Sequence, residues 1–272
     1  MSDPREPGTD LTDDLTDDLG HPVPLVGAAR RIVSLVPSIT EALAADVRDR
    51  LVGATEWCTH PADLDVRRVR GTKNPDLAAI RDLAPDLVVA NKEENRELDV
   101  RRLRESGIAV WVTDIESVDD ALAALERLYD LALALPERPA WLREARELWS
   151  QEPPAARGRV VVPVWRDPWM VVGARTYTGD LLARLGWVNA GAEAASLRGA
   201  ADRYPTVSLE HLDRDDVDLV LLPDEPYVFT ADDGPEAFDR APTRLVSGRL
   251  LTWYGPAMVE AHRALSAAGA AT

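Results

Sequence analysis

At 272 residues, with 46% hydrophobic and 29% charged residues, the chain is long enough for one large or two modest domains and has the make-up of an ordinary globular protein. A net charge of -16 and a pI near 4.7 repel a polyanion and exclude nucleic acid as the expected partner, and no apolar run reaches the roughly 18 residues a membrane span needs, so no membrane insertion is expected. The single cysteine, Cys58, cannot form an intramolecular disulfide.

The first twenty residues carry seven acids against one arginine. Such a stretch buries too little apolar surface to offset its ordering entropy, which predicts a disordered acidic tail over residues 1–24. It has neither the basic start nor the apolar run of a secretory signal, and the expected location is cytoplasmic.

From Arg31 onward, short β-branched runs alternate with longer amphipathic ones, the pattern of βα units that build a parallel sheet. Strands are expected at Arg31–Val36, Leu51–Ala54, Asp86–Ala90 and Ala109–Val112. Helices are expected near Thr40–Ala45 with Pro37-Ser38 as its turn and cap, near Asp76–Leu83, and up to about Ser106. Apolar residues at Leu122, Leu125, Leu128, Ala132 and Leu135 then keep helical spacing, and a second amphipathic helix follows around Trp141–Trp149. After a Pro-rich linker the βα pattern restarts with strands at Arg159–Trp165, Trp169–Gly173 and Asp218–Leu222, a helix near Gly179–Leu185 and a last helix after Pro256. The predicted fold class is α/β: a lobe over 25–116, connecting helices over 117–152 and a second lobe over 153–272. Each lobe is Rossmann-like with a parallel sheet, and a ligand cleft is expected between them at the strand carboxyl ends.

The familiar catalytic and nucleotide-binding signatures are absent from the sequence: no GxGxxG after a strand, no Walker loop, no HExxH, no paired CxxC and no GxSxG. The nearest approach to a metal set is Cys58 with His60, one residue apart, and Glu94 from another loop; two ligands at that spacing fall short of a site, so no metal is assigned. Glu93-Glu94 fits a solvated helix start as well as an acid–base pair. Aromatics instead gather at strand-to-helix junctions: Trp57, Trp165, Tyr204, Trp253 and Tyr254. Placed there they can stack on a flat ligand while their NH or OH tips still hydrogen-bond, although each could equally cap a core. The chain has only two lysines, Lys73 and Lys92, and both fall in such loops. Ser38, Lys73, Asn74, Asn91, Asn95 and Arg166 complete the expected polar contacts.

RIVSLVPSITEALAA, LVGATEWCTHP, GTKNPDLAAIRDLAPDLVVA and GIAVWV resemble, in order and spacing, the first lobe of the helical-backbone, vitamin B12 and iron-complex type of substrate-binding protein of ABC importers, and YPTVSLEHL with DVDLVLL resembles the second-lobe signature. The resemblance implies two Rossmann-like lobes and a ligand such as cobalamin, haem or a metal–siderophore complex, with no cofactor required. It also implies a surface Glu on each lobe that docks on the membrane permease. Glu210 matches in the second lobe, whereas Ala78 stands at the first-lobe position, which puts permease docking in doubt. The leading expectation is a non-enzymatic cytoplasmic binding protein for storage, handover or sensing. The alternatives are an enzyme using Cys58, His60 and Glu94, and an importer component with an unrecognised export route.

Overall fold

The computed structural model describes residues 15–196 and 203–267. The contacts divide the chain into two compact units, Met1–Asp114 with Ala124–Arg138, and Ile115–Ala123 with Pro139–Thr272.

In the first unit β1 (Ile32–Ser34) is buried along its whole length and is followed by α1 (Pro37–Asp46) and β2 (Leu51–Ala54). Pro37 opens α1 inside its first turn, where a missing N–H costs nothing, and Val36 is the N-cap. Ser38 therefore lies within the helix and does not cap it. Three two-residue strands follow, β3 (Arg67–Arg68), β4 (Arg70–Gly71) and β5 (Asn74–Pro75). Then come α2 (Leu77–Asp82), β6 (Leu87–Asn91), α3 (Glu97–Glu105) and β7 (Val110–Thr113). Asp76 caps α2 by accepting from the N–H groups of Ala78 and Ala79 at 3.1 and 3.0 Å. The sheet runs β3-β2-β1-β6-β7 and every pair is parallel. Val33, Val88 and Val110 on the strands meet Ile80 of α2 and Leu103 of α3 in one apolar core.

α4 (Val118–Arg127) begins with the Asp120 N–H bonded to Ser117 Oγ at 3.0 Å, continues through a π-helical stretch, Leu128–Ala132, and is followed by α5 (Ala140–Trp149). In the second unit the expected strand Arg159–Trp165 is two strands, β8 (Gly158–Val161) and β9 (Pro163–Trp165). β9 leaves the sheet to pair antiparallel with β10 (Met170–Val171), and Pro163, lacking an N–H, stands where the run breaks. Next are α6 (Tyr177–Arg184), β11 (Trp187–Asn189), α7 (Ala190–Ser196), α8 (Leu209–Leu212) and β12 (Leu219–Pro223). The unit ends with β13 (Thr243–Val246), α9 (Gly248–Thr252) and α10 (Ala257–Ala267). Its sheet, β11-β8-β12-β13, is again fully parallel, so both units have the expected α/β build.

The tail boundary at residue 24 needs correction. Leu15–Leu25 is packed on the first unit: Val23 is fully buried, and the buried Asp17 carboxylate pairs with Arg104. Residues 1–14 lie outside the described residues.

Candidate functional site

Because each sheet is parallel, all of its strands end on one side, and the loops leaving those ends form one face per unit. In the first unit these are the loops after β1, β2, β6 and β7, together with the β4–β5 hairpin. In the second they are the loops after β8, β11, β12 and β13.

Most of the polar candidates of the first unit hold this loop face together. Asn91, buried at the end of β6, accepts from the N–H groups of Glu93 and Glu94 at 2.8 and 3.2 Å through Oδ1. Its Nδ2 donates to Thr113 Oγ1 at 3.0 Å, and its own N–H donates to Asn95 Oδ1 at 2.8 Å. Asn95 Nδ2 then reaches the Thr72 carbonyl at 3.0 Å, and Lys73 Nζ donates to the Glu93 carbonyl. The hairpin is thereby bound to the β6 loop from both sides. Lys92 is likewise engaged, with Nζ 2.7 Å from Asp114. Asn91 and Asn95 are buried scaffold groups with their hydrogen bonds already made, which corrects their assignment as ligand contacts.

What the scaffold presents outward is Trp57, 65% exposed, with Arg70 and Asn74 beside it. A Cβ on Gly71 would stand 2.5 Å from Asn74 Oδ1 and 3.2 Å from the Trp57 indole nitrogen, so the indole and the Asn74 amide both lie close over the hairpin backbone at Gly71. Arg70 holds a left-handed backbone, φ +66°, uncommon for a residue with a side chain. Ser38 is buried and its Oγ has no hydrogen-bond partner within the protein.

The proposed metal and enzyme set does not assemble. Cys58 Sγ is buried 3.0 Å from Thr40 Oγ1 and 3.1 Å from Thr55 Oγ1, and burial pushes its thiol pKa up, away from the thiolate needed for attack or ligation. His60 is exposed, with Nδ1 3.2 Å from Thr59 Oγ1. Among the described residues no group of three or more His, Cys, Asp or Glu is placed to hold a metal ion. Cys58, His60 and Glu94 therefore do not form a reactive or metal site in this arrangement.

In the second unit the candidates separate by burial. Trp165, at the end of β9, is 45% exposed and packs edge-on against Tyr227, with centroids 5.5 Å apart. Tyr227 donates to Asp233 at 2.7 Å and lies in the loop after β12. Arg166 pairs with Asp233 and with Glu236 at 2.5 Å, and its guanidinium lies 5.4 Å from the Trp169 ring centre. These carboxylates hold its pKa above the ordinary arginine value. Tyr204 is half-buried beside Pro205, whose carbonyl accepts from the Val171 N–H at 3.1 Å. Trp253 and Tyr254 are each 6% exposed: Tyr254 packs edge-on against Tyr177, and Trp253 hydrogen-bonds the Glu225 carboxyl. Both are core side chains here, which corrects the expectation that they stack on a ligand. Glu210 is exposed on α8 and Ala78 is exposed on α2.

No protein-family model matches the chain. A vitamin B12-binding protein of Vibrio cholerae is 31% identical over 102 residues, 37% of either chain, and one of Vibrio campbellii is 25% identical over 195 residues, 68% of either chain. The chain thus spans little more than a third of the length of the first of these relatives. Among solved structures, the periplasmic vitamin B12 binding protein of Vibrio cholerae superposes with a TM-score of 0.66 at 19% identity, over 89% of this chain and 97% of that one. The periplasmic heme-binding protein of a Roseiflexus species gives 0.68 at 20% identity, over 89% and 100%. The shared fold is α/β, with a parallel sheet in each unit. In sequence the chain is similar to these vitamin B12-binding proteins, and in fold to these two periplasmic binding proteins. These relatives are named for binding, with the chelate as ligand and not as cofactor. The cytoplasmic location read from the acidic start is overturned by the same finding, since the solved relatives are periplasmic.

Proposed function

We propose that the chain is a non-enzymatic binding protein for a metal chelate of the corrin or porphyrin kind, and that it serves an importer in the compartment its solved relatives occupy. One observation carries this reading. Of eight tryptophans, the two that are exposed, Trp57 and Trp165, both stand on loop faces at strand carboxyl ends, one per unit. An exposed indole costs hydrophobic free energy unless something covers it, and a flat, partly apolar chelate is a fitting cover. Each ring rests on a braced loop, Trp57 against the Gly71 hairpin and Trp165 against Tyr227, so little side-chain entropy remains to be lost on binding.

On this reading Trp57 and Trp165 stack, Arg70, Asn74 and Ser38 supply polar contacts in the first lobe, and Glu210 is the docking carboxylate of the second. With alanine at position 78, docking would rest on one lobe. The test is native mass spectrometry of the purified protein incubated with cobalamin, hemin and a ferric siderophore at equal concentration. Retention of one of the three as a one-to-one complex supports the reading, and retention of none overturns it.

A further inference from the structure

The second unit has a cavity of about 300 Å³ that the site described above does not use. Its walls are the end of α5, the linker that leads into β8, the end of α6 just before β11, and the last turns of α10. It therefore lies at the amino ends of β8 and β11, whereas the loop face lies at the carboxyl ends. Trp149 and Leu185, both buried, supply apolar wall. The Trp149 ring is fixed from two sides: its indole N–H donates to the Met258 carbonyl at 3.0 Å, and His262 meets it edge-on with ring centroids 4.9 Å apart.

The charges on the lining are unevenly matched. Arg184 is neutralised, with Asp119 at 2.6 Å and Asp180 at 2.9 Å. His262 is neutral at pH 7, because burial holds its pKa below the ordinary 6.5. Arg157 is half-buried, and among the described residues no carboxylate pairs with it. Its Nη1 and Nη2 donate to the Leu265 and Ser266 carbonyls at 3.1 and 2.9 Å, at the carboxyl end of α10. Those carbonyls carry only partial negative charge, and three of the five guanidinium N–H groups remain to be used. Glu152, the acid on the lining, is an exposed linker residue. A chain of net charge -16 thus keeps one unmatched positive charge beside a buried indole. We propose that this cavity is a second binding site, for a small organic carboxylate on a ring-sized apolar body, with Arg157 holding the carboxylate and Trp149 and Leu185 packing on the ring. A planar carboxylate fits the guanidinium fork, and one unmatched charge calls for a monoanion. An apolar cavity of about 150 Å³ already holds benzene, so this volume takes a ring with its acid group.

NMR titration of the full chain tests this, with the Trp149 indole N–H and the His262 ring signals reporting on the cavity itself. The probes are benzoate, its neutral counterpart benzamide, and inorganic phosphate. Benzoate should shift both signals saturably, and benzamide and phosphate should each bind roughly tenfold more weakly or worse, since one lacks the charge and the other the apolar body. No saturable shift with benzoate overturns the proposal, as does equal binding of benzamide or of phosphate. Arg157→Gln should weaken benzoate by the same factor. If that variant fails to fold, because Arg157 also holds the end of α10, the decision falls to Ser266→Trp, which fills the cavity and leaves the Ser266 carbonyl in place. Loss of the benzoate response there supports the proposal, and an unchanged affinity overturns it.

Discussion

Asn91 and Asn95 lock the central loop of the first lobe into one shape: the Asn91 N–H donates to Asn95 Oδ1 at 2.8 Å, while Asn91 Oδ1 takes the N–H groups of Glu93 and Glu94. The pair fixes the hairpin on which Trp57 rests, because Asn95 continues to the Thr72 carbonyl. Asn91→Ala leaves Thr113 and two loop N–H groups short of partners at a buried site. The expected cost is about 1–3 kcal/mol for each group left unsatisfied. Urea unfolding measures it, and a loss within the error of the midpoint contradicts the scaffold role.

Trp57 and Trp253 should answer substitution in opposite ways. Trp57→Ala removes an exposed ring and changes stability by no more than about 0.5 kcal/mol, while weakening ligand retention. Trp253→Ala empties a buried site and costs about 3–5 kcal/mol. Thermal unfolding of the two variants side by side distinguishes them, and equal losses would contradict the assignment of one ring to the surface and the other to the core.

Cys58 is expected to be inert. Its thiol is buried between Thr40 and Thr55 and its pKa is raised by burial. A thiol reagent at pH 8 should modify it only as fast as the protein opens, and stoichiometrically in denaturant. Fast modification of the native protein would reopen the reactive-thiol alternative.

Asp213 supplies an acid-sensitive contribution to the second lobe. Burial alone would raise its pKa, but the N–H groups of Ala241, Asp239 and Arg240 outweigh burial and hold it below the ordinary 3.8. The folded value lies below the unfolded one, so the contribution is fully present above about pH 4 and is lost as pH falls through the folded value. Asp213→Asn should lower the melting temperature at pH 7 and make a smaller difference at pH 3. An equal difference at both would contradict it.

The sequence showed the buried strands well, since runs such as Leu87–Asn91 and Leu219–Pro223 are buried at every residue and read as near-continuous apolar text. It missed β11 and β13, whose residues are half-buried or exposed and mix polar with apolar types. At the site, sequence position marked aromatics at strand ends but could not tell Trp57 from Trp253, because the difference lies in what packs against each ring. Asn91 and Asn95 read as ligand contacts for a similar reason: a polar residue in a loop looks the same whether it faces outward or bonds its own backbone. The packing of Leu15–Leu25 escaped because acid counts are local, whereas Arg104 and Arg127 lie about a hundred residues along the chain from their partners Asp17 and Asp18.

The central claim is that the exposed tryptophans take part in binding a flat chelate, and the most direct measurement is a fluorescence and visible-absorbance titration with cobalamin and with hemin. In the wild-type protein one of them should quench tryptophan emission saturably at one equivalent and shift its own visible band. Trp57→Ala and Trp165→Ala should each weaken that binding by tenfold or more. A quench and affinity unchanged in both variants, or no saturable response to either chelate, would contradict the account.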